Sequence, residues 1–307
     1  MPGPTIPPAD DVAVTRARIA AAPARVHQAL TEPAALTAWL AEHATVDLPG
    51  TWEFWGRDVP DGHAPHQTPV HVDGDNLRFT WRLEDTDTTA EFALEPHDDD
   101  RSTLVTLSQT HFPGWPAVME GTGPLSLLPT WWALAIATLD DHIAGRPLIA
   151  RPDLTSTRME VGLDIAADPG AVFASLVEPD VFESWFGAGM GIEPRVGGRW
   201  AMGDLDTNPN PGRITEFEPG RALGIDLGGM VVRWELEGSA GHTRLTLVQS
   251  GFDEDRPPHD AWLGWLSGLP ELRRYHEVSE WEPIWVGEDS PGAETVHARS
   301  GPATMIG

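Results

Sequence analysis

Two glutamines occupy matching places in strand-like runs. Gln109 closes Thr106-Leu107-Ser108-Gln109, and Gln249 closes Thr246-Leu247-Val248-Gln249. On a β-strand alternate side chains share a face, so each amide falls on the same side as the leucine two residues before it. An amide enclosed by apolar groups must find partners, so each Gln makes either a strand-end hydrogen bond to a loop or a contact to a bound molecule. His111 extends the same parity by one step, where the second run has Gly251. A histidine there is either a general base or a loop residue. Asp204 stands at the end of another strand-like run and either orients a polar ligand group or ends a solvated strand. His63, His66 and His71 form a cluster of imidazoles. Their loop placement, the absence of Cys and the lack of a second acidic-His motif argue against a metal, and none is expected. No phosphate-binding glycine loop, nucleophile elbow or zinc signature is present.

The elements that position these residues follow from an internal duplication. Residues 19–40, IAAAPARVHQALTEPAALTAWL, recur without a gap at 165–186 as IAADPGAVFASLVEPDVFESWF. Ile19/Ile165, Val26/Val172, Leu30/Leu176, Glu32/Glu178, Pro33/Pro179 and Trp39/Trp185 keep one register, which shared Ala and Pro richness would not produce. The match continues in order through Trp52/Trp200, Thr103/Thr243, Gln109/Gln249 and Trp132/Trp262. A period near 140 residues is too long for a solenoid unit and suits a whole domain with its own core. Two homologous domains are expected, at 12–147 and 156–275, joined by a linker at 148–155 and followed by a C-terminal tail at 276–307 that is loose from about Glu288.

Each copy reads as a strand, two short helices, a meander of strands and a terminal helix. Leu77, Phe79, Trp81 and Leu83 oppose Arg78, Thr80 and Arg82, while Val232, Trp234 and Leu236 oppose Arg233, Glu235 and Glu237. That alternation describes an antiparallel sheet packed on one face and wet on the other. The first terminal helix is expected from about Pro129 to Ala144, stopped by Gly145 and Pro147. Its counterpart, AWLGWLSGLPELRRYHE, holds Gly264, Gly268 and Pro270 and is expected to be shorter, kinking or breaking near Leu269.

This element order resembles the helix-grip fold of the START-like, or SRPBCC, superfamily. The run EPDVFESWFGAGMGIEPRVGGRW, followed by GRITEFEPGRAL, VRWELE, TRLTLVQSGF and AWLGWLSGL, is similar to the AHSA family, the activator of heat-shock-protein ATPase homologues. The first copy departs in the middle, where HVDGDNLRFTW replaces the Pro-Gly-Arg turn. The resemblance implies an α+β protein of two tandem helix-grip domains, each an antiparallel sheet curled around a C-terminal helix. It also implies an apolar cavity between sheet and helix as the ligand site. Inward parity then selects Trp200, Met202, Trp234, Gln249, Trp262 and Trp265 in the second copy, and Phe79, Trp81, Gln109, His111 and Trp132 in the first. Fourteen Trp against one Tyr would give aromatic walls with few polar groups, suited to a flat or hydrophobic ligand, or simply a packed core.

Composition narrows the partners. A net charge of −27 disfavours nucleic acid and anionic membrane, because phosphate contacts require a basic surface. MPGPTIPPADD has neither a basic region nor an apolar stretch of signal-peptide length, so a cytoplasmic location is expected. The reading from sequence is non-enzymatic binding of a small hydrophobic or aromatic molecule, without a cofactor. An aromatase/cyclase-like enzyme of the polyketide type and a chaperone-interacting module are the alternatives, since this fold hosts all three roles.

Overall fold

A computed structural model describes residues 12–120, 123–255, 259 and 261–288. The chain divides into two compact units, one reaching Leu148 and including the segment from Ile284, the other spanning Ile149–Pro283.

The first unit opens with β1 (Val12–Ile19), α1 (Pro23–Thr31) and α2 (Pro33–Trp39). The short hairpin β2 (His43–Asp47) and β3 (Thr51–Trp55) follows, then the meander β4 (Gln67–Val72), β5 (Asn76–Leu83), β6 (Thr86–His97) and β7 (Ser102–Thr110), and finally α3 (Trp115–Glu120) and α4 (Pro124–Ala144). In the second unit β8 (Arg158–Ile165), α5 (Pro169–Val177) and α6 (Pro179–Phe186) precede β9 (Met190–Ile192), β10 (Arg199–Met202), β11 (Gly212–Glu218), β12 (Ala222–Asp226), β13 (Val231–Gly238), β14 (Thr243–Ser250) and α7 (Ala261–Glu277). Its seven strands run in the order β8-β14-β13-β12-β11-β10-β9, every pair antiparallel. Both units are helix-grip domains, so the tandem α+β architecture stands.

The duplicated residues do the same work twice. Trp39 donates its indole N–H to the Ala29 carbonyl at 2.9 Å, and Trp185 donates to the Ser175 carbonyl at 2.8 Å, pinning the second short helix to the first in each unit. Thr103 and Thr243 donate their hydroxyls to the carbonyls of Ala21 and Ala167, at 2.7 and 2.6 Å, fastening the sheet to the turn before the helices. Ile19/Ile165, Val26/Val172 and Leu30/Leu176 are buried in both cores.

Three expectations change. The first terminal helix begins at Pro124 rather than Pro129, which lies inside it. Gly145 ends it as foreseen, taking the left-handed φ of 69° that a C-terminal cap requires. The second terminal helix is shorter than the first, as expected, 17 residues against 21, but it does not break near Leu269: α7 runs continuously through Pro270. A proline removes one helical hydrogen bond, but burial of Leu263, Trp265, Leu266, Leu269 and Leu272 outweighs that loss. Gly268 has a packing reason, because a Cβ there would stand 3.0 Å from Phe186 Cε2 and 3.2 Å from Trp185 Cζ3. Its bare backbone lets α6 approach α7.

The third change concerns the segment expected as a tail. Besides the last residues of α7, it contains β15 (Trp285–Glu288), which pairs antiparallel with β1 and completes a six-stranded sheet, β15-β1-β7-β6-β5-β4, in the first unit. That pairing covers the hydrogen-bonding edge that β1 would otherwise present. The loose stretch expected beyond Glu288 lies outside the described residues. The strands β2 and β9 carry too few alternating residues to be read from sequence, whereas Thr51–Trp55 is the strand its alternation predicts.

Candidate functional site

The inner face of each sheet meets its terminal helix through an aromatic layer, and the two layers differ in how they treat their one amide. In the first unit β5 contributes Phe79 and Trp81, β3 adds Trp52 and Phe54, β6 adds Phe92, and α4 supplies Trp131 and Trp132, all buried. Their rings interlock. Trp131 and Trp132 meet edge-to-face at 4.5 Å between centroids, Phe54 stacks on Trp131 at 5.8 Å, and Trp132 reaches Trp81 at 5.9 Å and Phe92 at 5.6 Å. Gln109 sits in the same layer, 2% exposed, between Ala13 of β1 and Ala90 of β6. Trp132 donates its indole N–H to Gln109 Oε1 at 3.2 Å. The polar pair is closed on itself, and only Gln109 Nε2 is left without a partner.

In the second unit Trp265 of α7 is the hub, with ring centroids 5.2 Å from Trp234, 5.8 Å from Trp200 and 5.5 Å from Phe186. Trp234 of β13 lies opposite Leu247 of β14, and Gln249 follows two residues on, opposite Val232. Gln249 is fully buried. Its Nε2 contacts Met230 Sδ at 2.9 Å, while Oε1 has no hydrogen-bond partner. The indole N–H of Trp265 is also buried and unpartnered. One acceptor and one donor therefore stand open within an apolar layer, each at a cost of about 1–3 kcal/mol for as long as it stays unpaired. Rotating the amide by half a turn only exchanges which end faces the thioether.

Trp200, Trp234, Gln249 and Trp265 thus share one layer, as do Phe79, Trp81, Gln109 and Trp132 in the first unit. Met202 is half-buried at the end of β10, beside Met190 of β9. The side chain of Trp262 lies outside the described residues. His111 is not on the inner face: it is exposed, with φ of 62° turning the chain out at the end of β7 and its Nδ1 3.0 Å from Thr110 Oγ1. Asp204 is likewise exposed and closes a turn by accepting the amides of Asp206 and Thr207. Sequence parity alone did not select Trp52, Phe54, Phe92, Phe186 or Met230. For Phe186 the helical spacing of Phe182, Trp185 and Phe186 was the available signal.

A cavity of about 320 Å³ lies on the opposite, polar face of the second sheet, between Pro169 and the outward residues Glu216, Glu218, Arg233 and Glu235. Arg233 spans its floor, donating to both Glu216 and Glu235, and the guanidinium holds the Glu216 carboxyl below its ordinary range. The sequence cluster of imidazoles also separates. His71 pairs with Asp73 at 2.8 Å, whereas His63 and His66 come together with Asp61.

These two grips, each a sheet closed over a terminal helix by an aromatic layer, define a tandem START-like protein. Residues 20–121 and 166–277 match the Activator of Hsp90 ATPase homolog 1-like protein family, to which the chain belongs. No curated protein matches it. Among solved structures it is similar to DynU16, a protein of the dynemicin biosynthetic locus, at 16% identity over 87% of this chain and 100% of that one, with a TM-score of 0.37. It is also similar to protein CV1439 from Chromobacterium violaceum, at 22% identity over 40% of this chain and 99% of that one, with a TM-score of 0.33. A third is the Aha1 dimer from Colwellia psychrerythraea, at 16% identity over 41% of this chain and 100% of that one, with a TM-score of 0.35. Among the described residues no helix is long and apolar enough to cross a membrane.

Proposed function

We propose that the protein binds a small hydrophobic or aromatic molecule in the grip of its second domain and does not transform it. The observation that carries this reading is two buried groups without a partner on the inner face, Gln249 Oε1 and the indole N–H of Trp265, whose ring lies among Trp200, Trp234 and Phe186. A flat ligand with an acceptor and a donor would satisfy both groups while stacking on the indoles. The first domain suits this less, because Trp132 already occupies Gln109. An enzymatic role of the aromatase/cyclase kind asks for an ionisable group beside the bound chain. The two considered for it, His111 and Asp204, sit exposed at strand ends. The charge of −27 further favours an uncharged or cationic small molecule over a polyanion.

The test is a fluorescence titration of the full chain with a panel of flat aromatic and aliphatic compounds. A binder produces a saturable change in tryptophan emission, and Trp234→Phe diminishes it. Absence of a saturable response across the panel overturns the binding reading and leaves a protein-contact role as the better account.

A further inference from the structure

The geometry points to a divalent transition-metal site of the zinc type, formed by Asp61, His63 and His66 on the loop between β3 and β4. It is independent of the ligand-binding grip and departs from the expectation of no metal. The three residues fall within Asp61-Gly62-His63-Ala64-Pro65-His66. One ligand-capable atom from each lies within 4.8 Å of the other two.

The spacing fits the chemistry. Two donors on one tetrahedral ion, each about 2.0 Å from the metal, stand about 3.3 Å apart. His63 Nδ1 and Asp61 Oδ1 are already 3.0 Å apart. The third donor therefore needs to close by at most about 1.5 Å, within the reach of an imidazole rotation. An Asp–His ion pair would account for those two residues alone. It leaves unexplained the buried Nε2 of His66, which has no hydrogen-bond partner. A cation bound by both imidazoles satisfies it. The rings of His63 and His66 already lie edge-to-face at 5.2 Å.

The loop is built to hold this arrangement. Gly56 N–H donates to the Gly62 carbonyl at 2.9 Å, and Gly62 N–H to the Val59 carbonyl at 3.0 Å. A side chain at Gly62 would collide with the Gly56 carbonyl, 2.2 Å from its Cβ position. The Glu84 amide donates to Asp61 Oδ2 at 2.9 Å, which leaves Oδ1 turned toward His63. Trp131 ties the loop to α4 by donating its indole N–H to the Asp58 carbonyl at 2.6 Å. Two imidazoles and one carboxylate select zinc, cobalt, nickel or copper over calcium and magnesium, which take oxygen ligands. Three protein ligands leave a coordination position for water.

The test uses the full chain without an affinity tag, stripped with a chelator, then titrated calorimetrically with zinc and spectroscopically with cobalt. The expected result is one ion per chain and visible cobalt bands of a tetrahedral or five-coordinate site. His63→Gln and His66→Gln should each weaken binding by at least the roughly 10- to 100-fold that losing a mere supporting residue costs a metal site. His71→Gln should leave it unchanged. The His63 side chain is 73% exposed, so His63→Gln keeps the fold, with far-UV circular dichroism as the check, and decides the matter should His66→Gln fail to fold. Absence of stoichiometric zinc binding, or equal binding by His63→Gln and the unaltered chain, overturns the assignment.

Discussion

Replacing each buried glutamine by methionine should move stability in opposite directions in the two domains. The swap nearly conserves volume, so packing strain contributes little. At Gln249 it removes a carbonyl with no hydrogen-bond partner and an N–H whose only acceptor is the Met230 thioether. Relieving an unpaired buried acceptor returns about 1–3 kcal/mol, and losing a weak N–H···S contact takes back less than a full hydrogen bond, about 0.5–1.5 kcal/mol. Gln249→Met should therefore stabilise the second domain by about 1 kcal/mol. At Gln109 the same swap takes the acceptor from Trp132 and leaves its indole N–H buried and unpaired. The exchange there removes one unpaired group, Nε2, and creates another, so the net loss is that of the hydrogen bond, about 1 kcal/mol. Urea unfolding of the full chain measures both, since each domain contributes its own transition and a change in midpoint at constant slope reports stability. In ligand titrations Gln249→Met should lose the saturable response while Gln109→Met keeps it. If Gln249→Met destabilises the protein as much as Gln109→Met, Gln249 Oε1 is paired in solution and is not part of a ligand site.

Gly268→Ala should cost about 1 kcal/mol in urea unfolding, although alanine is the better helix former by about 1 kcal/mol, because overpacking costs about 1–3 kcal/mol. The new methyl would meet Phe186, whose ring is held by Phe182, Trp185 and Trp265; a gain in stability would mean that ring yields. The second domain should lose stability as pH falls below the ordinary histidine value of 6.5, because burial depresses His276 in the folded state despite the opposing charge of Glu277. A base with a depressed folded pKa contributes stability that is complete above its unfolded pKa and is lost on acidification. His276 Nε2 lies 3.0 Å from Ser175 Oγ. Unfolding midpoints measured across pH 5–8 should slope less in His276→Gln, and an unchanged slope would remove His276 as the cause.

Much of the architecture was legible because it depends on local and periodic information. The gapless match of 19–40 with 165–186 set the number of domains, and strand parity placed Phe79, Trp81, Trp234, Gln109 and Gln249 on inner faces, since side-chain direction alternates with every residue. Proline and glycine were less informative in the terminal helices. Local propensity argued for a break in α7, but burial of five large side chains outweighed one lost hydrogen bond, and Gly268 proved to serve a contact with Phe186, 82 positions earlier in the chain. His111 failed for a related reason: parity extrapolates a strand past its end, whereas the positive φ there turns the chain outward.

Two copies of one domain, their family, and the inward faces of Phe79, Trp81, Trp234, Gln109 and Gln249 were readable from the chain alone, because these follow from repetition and from the period of the strand. The packed fold alone distinguished the two equivalent glutamines, one accepting from Trp132 and the other with a carbonyl that has no partner. It alone also paired β15 with β1 and chose Asp61 over His71 as the neighbour of His63 and His66. The first two depend on residues far apart along the chain with no period between them, and are set by the packing of whole elements, whereas the third depends on the backbone path of a single loop that no periodic pattern specifies.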